Sequence, residues 1–376
     1  MLSNSRIVLI VMLAVSMGLP LRSNADEGGA AGAVFVMTNA ADKNEIIAYQ
    51  RNADGSLGRK RRFPTGGRGS GGITDPLGSQ GSLTLTEDRS FLLAVNAGSG
   101  EISVFRVHQN SLDLADVTPC GGSEPVAVAQ HGNLVYVLNA GGSSNVVGFY
   151  LEQSGKLRQI SNSILFLTTA NSGAASLSFG PAGQTLLVTE KSTNKIDAFP
   201  IHADGTLGHI MAQSAVGPGT FAVLFAPNGI ALVAETGPAG GNNASAISSY
   251  AVLPNLSLSA VSSSVPTLGA ATCWLAVTPN GHFVYTSNAG SSTISGFNIA
   301  TNGVLTPLSG TILATLPTGS TNLDLTITTD GKFLYTLDSG TGVVSIFAIG
   351  EDGLLTPLGE VGNLRAAAGM NGIAAI

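Results

Sequence analysis

Two glutamates interrupt a row of asparagines. Seven equivalent positions along the chain read Asn39, Asn96, Asn139, Glu190, Glu235, Asn288 and Asp338, and the glutamates fall in consecutive repeats. Lys191 follows the first of them directly. Two carboxyl groups and an ammonium form a set for general acid–base catalysis. One carboxyl takes a proton, the other returns it, and the lysine steadies a developing oxyanion. Opening or closing a cyclic ester suits that set. The bland alternative is that Glu190 and Lys191 finish a strand and that Glu235 pairs locally. The recurring asparagines need only turn chemistry, because Asn tolerates left-handed backbone and bonds its own main chain.

A second row of equivalent positions reads Gln80, Glu124, Ala174, Thr220, Trp274, Asn322 and Asn371. Trp274 is the single tryptophan of the chain and offers an apolar wall to a ring-shaped substrate. With Asn139, Asn288, Asn322, Asp338 and Glu124 it makes up the expected substrate-binding set. His131 and His282 lie on the opposite side of the repeat, and His202 and His209 flank the Asp204-Gly205 turn. None has metal-ligand spacing, so neither metal nor cofactor is expected. Residues 67–72 (GRGSGG) imitate a dinucleotide loop but precede no helix. No G-x-S-x-G elbow is present.

The elements that must hold these residues are short strands. An apolar run, an Asn-Gly or Asp-Gly turn, a second apolar run and an Asn-like corner return seven times, about every 50 residues. Residues 273–308 and 322–358 are the clearest copies. Asn-Gly and Asp-Gly between apolar runs mark hairpins, because type I′ turns need positive φ. The later turn recurs at Asp54-Gly55, Ser154-Gly155, Asp204-Gly205, Asn302-Gly303 and Asp352-Gly353, each with a leucine two residues on. Residues 33–37 correspond to a second strand and residues 371–376 to an inner strand, so the two ends complete one repeat. The fold expected is all-β: a seven-bladed β-propeller of four-stranded antiparallel blades, its ring closed by the C-terminal strand completing the first blade. One irregular Gly-rich stretch, 64–80, leads into the second blade, where Asp75 and Arg68 could close over one face.

The pattern LAVTPNGHFVYTSNAG (275–290), repeated as LTITTDGKFLYTLDSG (325–340), resembles the lactonase-type seven-bladed propellers. That family includes the propeller kind of 6-phosphogluconolactonase and the carboxymuconate-lactonising enzyme. The resemblance covers nearly all of residues 26–376 and implies hydrolysis or formation of a small lactone without a redox cofactor. The enzymes' Pro-His-x-His element is replaced here by Glu124-Pro125-Val126-Ala127 and Gly219-Thr220-Phe221-Ala222. No catalytic residue of the family therefore maps onto this chain. The reading stays open between a lactonase-like enzyme and a non-enzymatic propeller that binds a carbohydrate, peptide or protein partner.

Residues 1–25 read as a secretory signal peptide: Arg6, an apolar run over 7–19, then Ser23-Asn24-Ala25. Residues 26–376 form one expected domain, secreted or periplasmic, with no membrane span after cleavage. Losing Arg6 and Arg22 takes the formal charge from −6 to −8, which excludes a nucleic-acid or anionic-lipid partner. The one basic run, Arg59-Lys60-Arg61-Arg62, reads as a solvated strand end. A small lactone or carboxylate is the expected partner, and the sequence sets no oligomeric state. Cys120 and Cys273 fall in different blades, which leaves their pairing open.

Overall fold

The computed structural model describes residues 31–109, 111–238 and 241–376. The proposed signal peptide lies outside them. The described strands form seven antiparallel sheets in a ring, with no helix among the described residues. No described helix is long and apolar enough to cross a membrane. Each blade runs outward from an inner strand: Leu83–Leu85, Pro125–His131, Ala174–Phe179, Thr220–Phe225, Thr272–Val277, Asn322–Ile327 and Ile373–Ala375. The last of these pairs with the N-terminal strand Gly32–Met37, Val34 opposite Ala375 and Val36 opposite Ile373. The ring thus closes through the C-terminal strand, as expected.

The turns explain the regularity. Gly55, Gly155, Gly205, Gly303 and Gly353 all have positive φ, which a side chain resists. At four such corners an Asp or Asn side-chain oxygen accepts the amide two residues on, as in Asp54 to Ser56 at 2.9 Å and Asp352 to Leu354 at 3.0 Å. These corners also lock neighbouring blades. Tyr335 donates its hydroxyl to the Gly55 carbonyl at 2.7 Å, and Tyr285 and Tyr136 do the same to Gly353 and Gly205.

Second strands such as Phe91–Asn96, Ile230–Glu235 and Phe333–Asp338 are buried along their whole length. Their two faces pack on the blades to either side, so both faces must be apolar. The outer edge is less regular. In the third blade it is split into Leu157–Gln159 and Leu165–Phe166, both paired with Asn145–Leu151. Five inner strands carry a bulge at their entry, between Pro125 and Ala127, Ala174 and Ser176, Thr220 and Val223, Thr272 and Trp274, and Asn322 and Leu325. Bulges re-aim side chains, and here they turn the residues just past each entry toward the axis. Cys120 and Cys273 are both free and buried.

Candidate functional site

The two glutamates do not face each other across the axis. Glu190 is fully buried. Its carboxyl accepts the Thr168 amide at 2.9 Å, the Thr168 hydroxyl at 2.7 Å and the Thr193 hydroxyl. Glu235 is 1% exposed and accepts the Gly217 amide at 3.1 Å and the hydroxyls of Ser248 at 2.5 Å and Ser264 at 2.7 Å. Every carboxyl oxygen is occupied by a donor from its own blade or from the segment leading into it. Asn96, Asn288 and Asp338 hold the same place and reach the same partner, a serine on the third strand: Ser103, Ser295 and Ser345. Asn139 is buried likewise and bonds Asn145 and the Cys120 carbonyl. In five blades this polar latch ties the second strand to the strand outside it, whereas Glu190 is held by Thr168 and Thr193, and Asn39 donates to Ser70 and to the Gly369 carbonyl.

Behind Glu190 the partner serine is replaced by Asp197, which is fully buried. Neither Asp197 oxygen meets a donor. Burial, then the adjacent Glu190, pushes its carboxyl up to about 8. At neutral pH Asp197 therefore keeps its proton beside Glu190. Asp338 is pushed up to about 7, chiefly by burial.

Other members of the expected set are placed differently. Glu124 sits exposed on the rim, with φ +53. Asn322 is buried between blades, where its amide donates to the Thr293 carbonyl at 3.1 Å. Lys191 and Trp274 do reach the axial funnel. Lys191 Nζ lies 3.3 Å from the Gly78 carbonyl oxygen and 5.0 Å above the Phe221 ring. Trp274 packs edge-on against Phe221 at 5.3 Å and donates its indole N–H to the Ser79 carbonyl at 2.9 Å.

The funnel's remaining groups come from the bulges and from the Gly-rich segment. Asp75 accepts the Gly78 amide at 3.0 Å and the Asn371 side-chain amide at 3.1 Å. Burial raises its carboxyl to about 6 against the opposing pull of Lys191. Asp324 lies in the bulge of the seventh blade with φ +74, a left-handed backbone rare outside glycine. Its carboxyl accepts the amides of Leu325 at 2.9 Å and Ile373 at 3.1 Å. Burial pushes it up to about 7, and Asp75 adds to the rise. Cys273 is raised by burial and feels both Asp75 and Lys191. Arg68, by contrast, points to solvent.

Phe221 and Asp324 lie one and two residues past the entry residues taken for their strands, Thr220 and Asn322, and Cys273 lies just before Trp274, the residue taken for the sixth blade. The bulges at these entries shift which side chains reach the axis. An acid two positions past Asn322, with no counterpart in the other repeats, was the available signal.

Beneath this cluster runs the axial channel, a cavity of ≈ 440 Å³. Its mouth is at the opposite face, by Glu87, His131 and Pro181, and it ends inward at Gln80 and Asp324. Gln80 spans the channel, donating to the Leu275 carbonyl at 2.7 Å and accepting its amide at 3.0 Å. No cluster of three metal-ligating side chains occurs among the described residues.

The sequence model of the family described as Lactonase, 7-bladed beta-propeller matches residues 35–235 and 232–370. Among solved structures the chain is similar to a provisional 6-phosphogluconolactonase of Bacteroides uniformis, with 19% identity and a TM-score of 0.68 over 92% of this chain and 99% of that one. It is similar to a periplasmic gluconolactonase of Pseudomonas aeruginosa, with 15% identity and a TM-score of 0.68 over 92% and 98%. A streptogramin B lyase shares the fold at 15% identity, with a TM-score of 0.54 over 81% and 90%. No curated relative matches the sequence.

Proposed function

Because the chain belongs to the lactonase seven-bladed β-propeller family, we propose that it opens or closes a small lactone in the axial funnel. The reacting groups are Lys191 and Asp324, with Trp274 and Phe221 as the apolar wall and Asn371 as an amide donor to the ligand. One observation carries this reading: Lys191 already holds a carbonyl oxygen, that of Gly78, at the axis. A lactone carbonyl in that place would be polarised toward attack. Asp324, with its carboxyl near 7, takes a proton from the attacking water and returns it to the ring oxygen as the acyl–oxygen bond breaks. The closed environments of Glu190 and Glu235 suit a structural duty, so the acid–base role moves off them. The neighbours named for gluconolactones support a sugar lactone as the first substrate class to try. An exported protein would meet such lactones free of phosphate, in keeping with the leader-like first 25 residues.

The filled funnel favours one rival, a propeller that binds a partner without chemistry. Lactone hydrolysis over sugar, aromatic and acyl-homoserine lactones separates the two. Lys191→Met and Asp324→Asn should each lower turnover at least tenfold at unchanged melting temperature. In the parent chain, activity should fall as pH drops below about 7 and Asp324 takes up its proton. Turnover that survives both substitutions rules out this funnel as the reacting centre. An inert parent chain points to the binding propeller.

A further inference from the structure

The Gly-rich segment is the funnel's occupant rather than a cover above it. Leu77 is buried, Ser79 donates its hydroxyl to the Val126 carbonyl at 2.8 Å, and Gln80 and Trp274 hold the segment's end. The pieces it leaves at the axis are a carboxyl, from Asp75, and a carbonyl, from Gly78. Asp75 is bound by Asn371, and Gly78 by Lys191. These are the two oxygen functions that a hydroxy acid or its lactone would present.

The outer part of the same segment is exposed and tied by two backbone hydrogen bonds, Gly71 amide to the Asn39 carbonyl at 2.9 Å and Gly369 amide to the Ile73 carbonyl at 3.0 Å. Residues 72–74 are exposed, and Ile73 is 67% exposed. The backbone turns through positive φ at Gly66, Gly71, Gly72, Asp75, Gly78 and Gly81. The non-glycine Asp75 is the strained member of that series. Lys191 packs so tightly on Gly78 that an added Cβ would lie 2.7 Å from its Nζ.

We propose that residues 72–78 are a built-in pseudo-ligand that withdraws as a unit and is displaced by an external carboxylate or lactone taking over the hydrogen bonds of Asp75 and Gly78. This rests on the funnel being the ligand site. The exchange replaces like with like, so its cost is chiefly the ordering of the ligand against the loosening of the segment. The protein is then autoinhibited by its own chain.

Cys273 reports the opening, because it is buried near enough to Asp75 of the segment and to Lys191 for both to act on its thiol. In Cys120→Ser it is the sole thiol, and its modification by a pyridyl disulfide is followed in native buffer and in low urea. Local opening predicts modification faster than global unfolding allows, with little urea dependence, and at least tenfold faster still in Gly78→Ala. Modification that carries the full urea slope of global unfolding in both chains overturns the proposal. Gluconate titration by calorimetry supplies the second arm. Displacement predicts several-fold tighter binding in Gly78→Ala, and equal affinity in a chain whose segment opens overturns it. If gluconate binds neither chain while Cys273 still reports opening, the ligand reading of the funnel fails and the mimicry with it. That result is distinct from failure of the opening itself.

Discussion

Asp197 and Glu190 show what one repeat did with a position that its neighbours fill by Asn and Ser. Where the latch residue is an acid elsewhere, a serine hydroxyl donates to it, as Ser248 does to Glu235 and Ser345 to Asp338. In the fourth blade a buried carboxyl, Asp197, stands in the serine's place, and burial beside Glu190 favours its protonated form. Its proton is held in the fold up to about pH 8 and in the unfolded chain only to the ordinary carboxylate range. The folded state therefore binds more protons between those limits, and the stability gained falls steadily as pH rises through that window. Asp197→Asn keeps a neutral side chain of the same shape that does not titrate. Thermal unfolding from pH 5 to 9 should show the parent losing stability toward pH 9 and the variant losing less. Equal slopes would mean that Asp197 is not the titrating group. Glu235→Ala belongs to the same scale. It strands the Gly217 amide and two serine hydroxyls and should cost about 3 kcal/mol in denaturant unfolding, at roughly 1 kcal/mol per bond.

The latches depend on the connection that enters each blade, and there glycine has a steric task. A Cβ on Gly217 would lie 2.0 Å from a Glu235 carboxyl oxygen, and one on Gly269 would lie 2.4 Å from the Asn288 side chain. Gly67 and Gly122 press on Asn96 and Asn139 in the same way. Gly217 has no positive φ, so its glycine answers to crowding alone. Gly58, on an outer strand, meets nothing closer than 3.8 Å. Gly217→Ala should therefore cost about 2 kcal/mol, while Gly58→Ala should be neutral or slightly stabilising, both read from urea midpoints. A harmless Gly217→Ala would mean the latch tolerates displacement. Much of this element was legible in the chain. The Asn-Gly and Asp-Gly corners, the leucines after them and the burial of the second strands follow from local chemistry. The latch was not legible, because Glu190 meets Thr168 and Glu235 meets Ser264 only after separate segments converge. The equivalent asparagines marked a ring of second-strand ends whose side chains are buried as latches, while the bulges that shift residues at the inner-strand entries left no mark in the repeat. The segment 64–80 had no counterpart in the other repeats to align with. Its Asp75 was visible as a candidate, but its seating on Asn371 requires the ring to be closed.

Closure of that ring joins stability to the site. The strand Ile373–Ala375 contributes three buried side chains and pairs with the N-terminal strand. The Ile376 carbonyl accepts the Ala33 amide at 3.2 Å and the Arg51 guanidinium at 3.0 Å. Ile373 supplies the amide that holds Asp324, and Asn371 supplies the one that holds Asp75. Deleting residues 371–376 removes an inner strand, opens a sheet edge at residues 33–37 and frees both funnel carboxyls together. Lost burial and ladder bonds amount to roughly 4 kcal/mol or more, and the bared edge invites pairing between chains. The truncated protein should melt at least several degrees lower and self-associate in light scattering, whereas Arg51→Ala, which leaves the strand in place, should soften the closure without association. A synthetic peptide of residues 371–376 added to the truncated chain should restore part of the melting temperature by refilling the same edge. Failure of the peptide, with the truncation still monomeric and stable, would mean that six blades and an incomplete first one already hold the ring, and that the terminal strand serves the funnel alone.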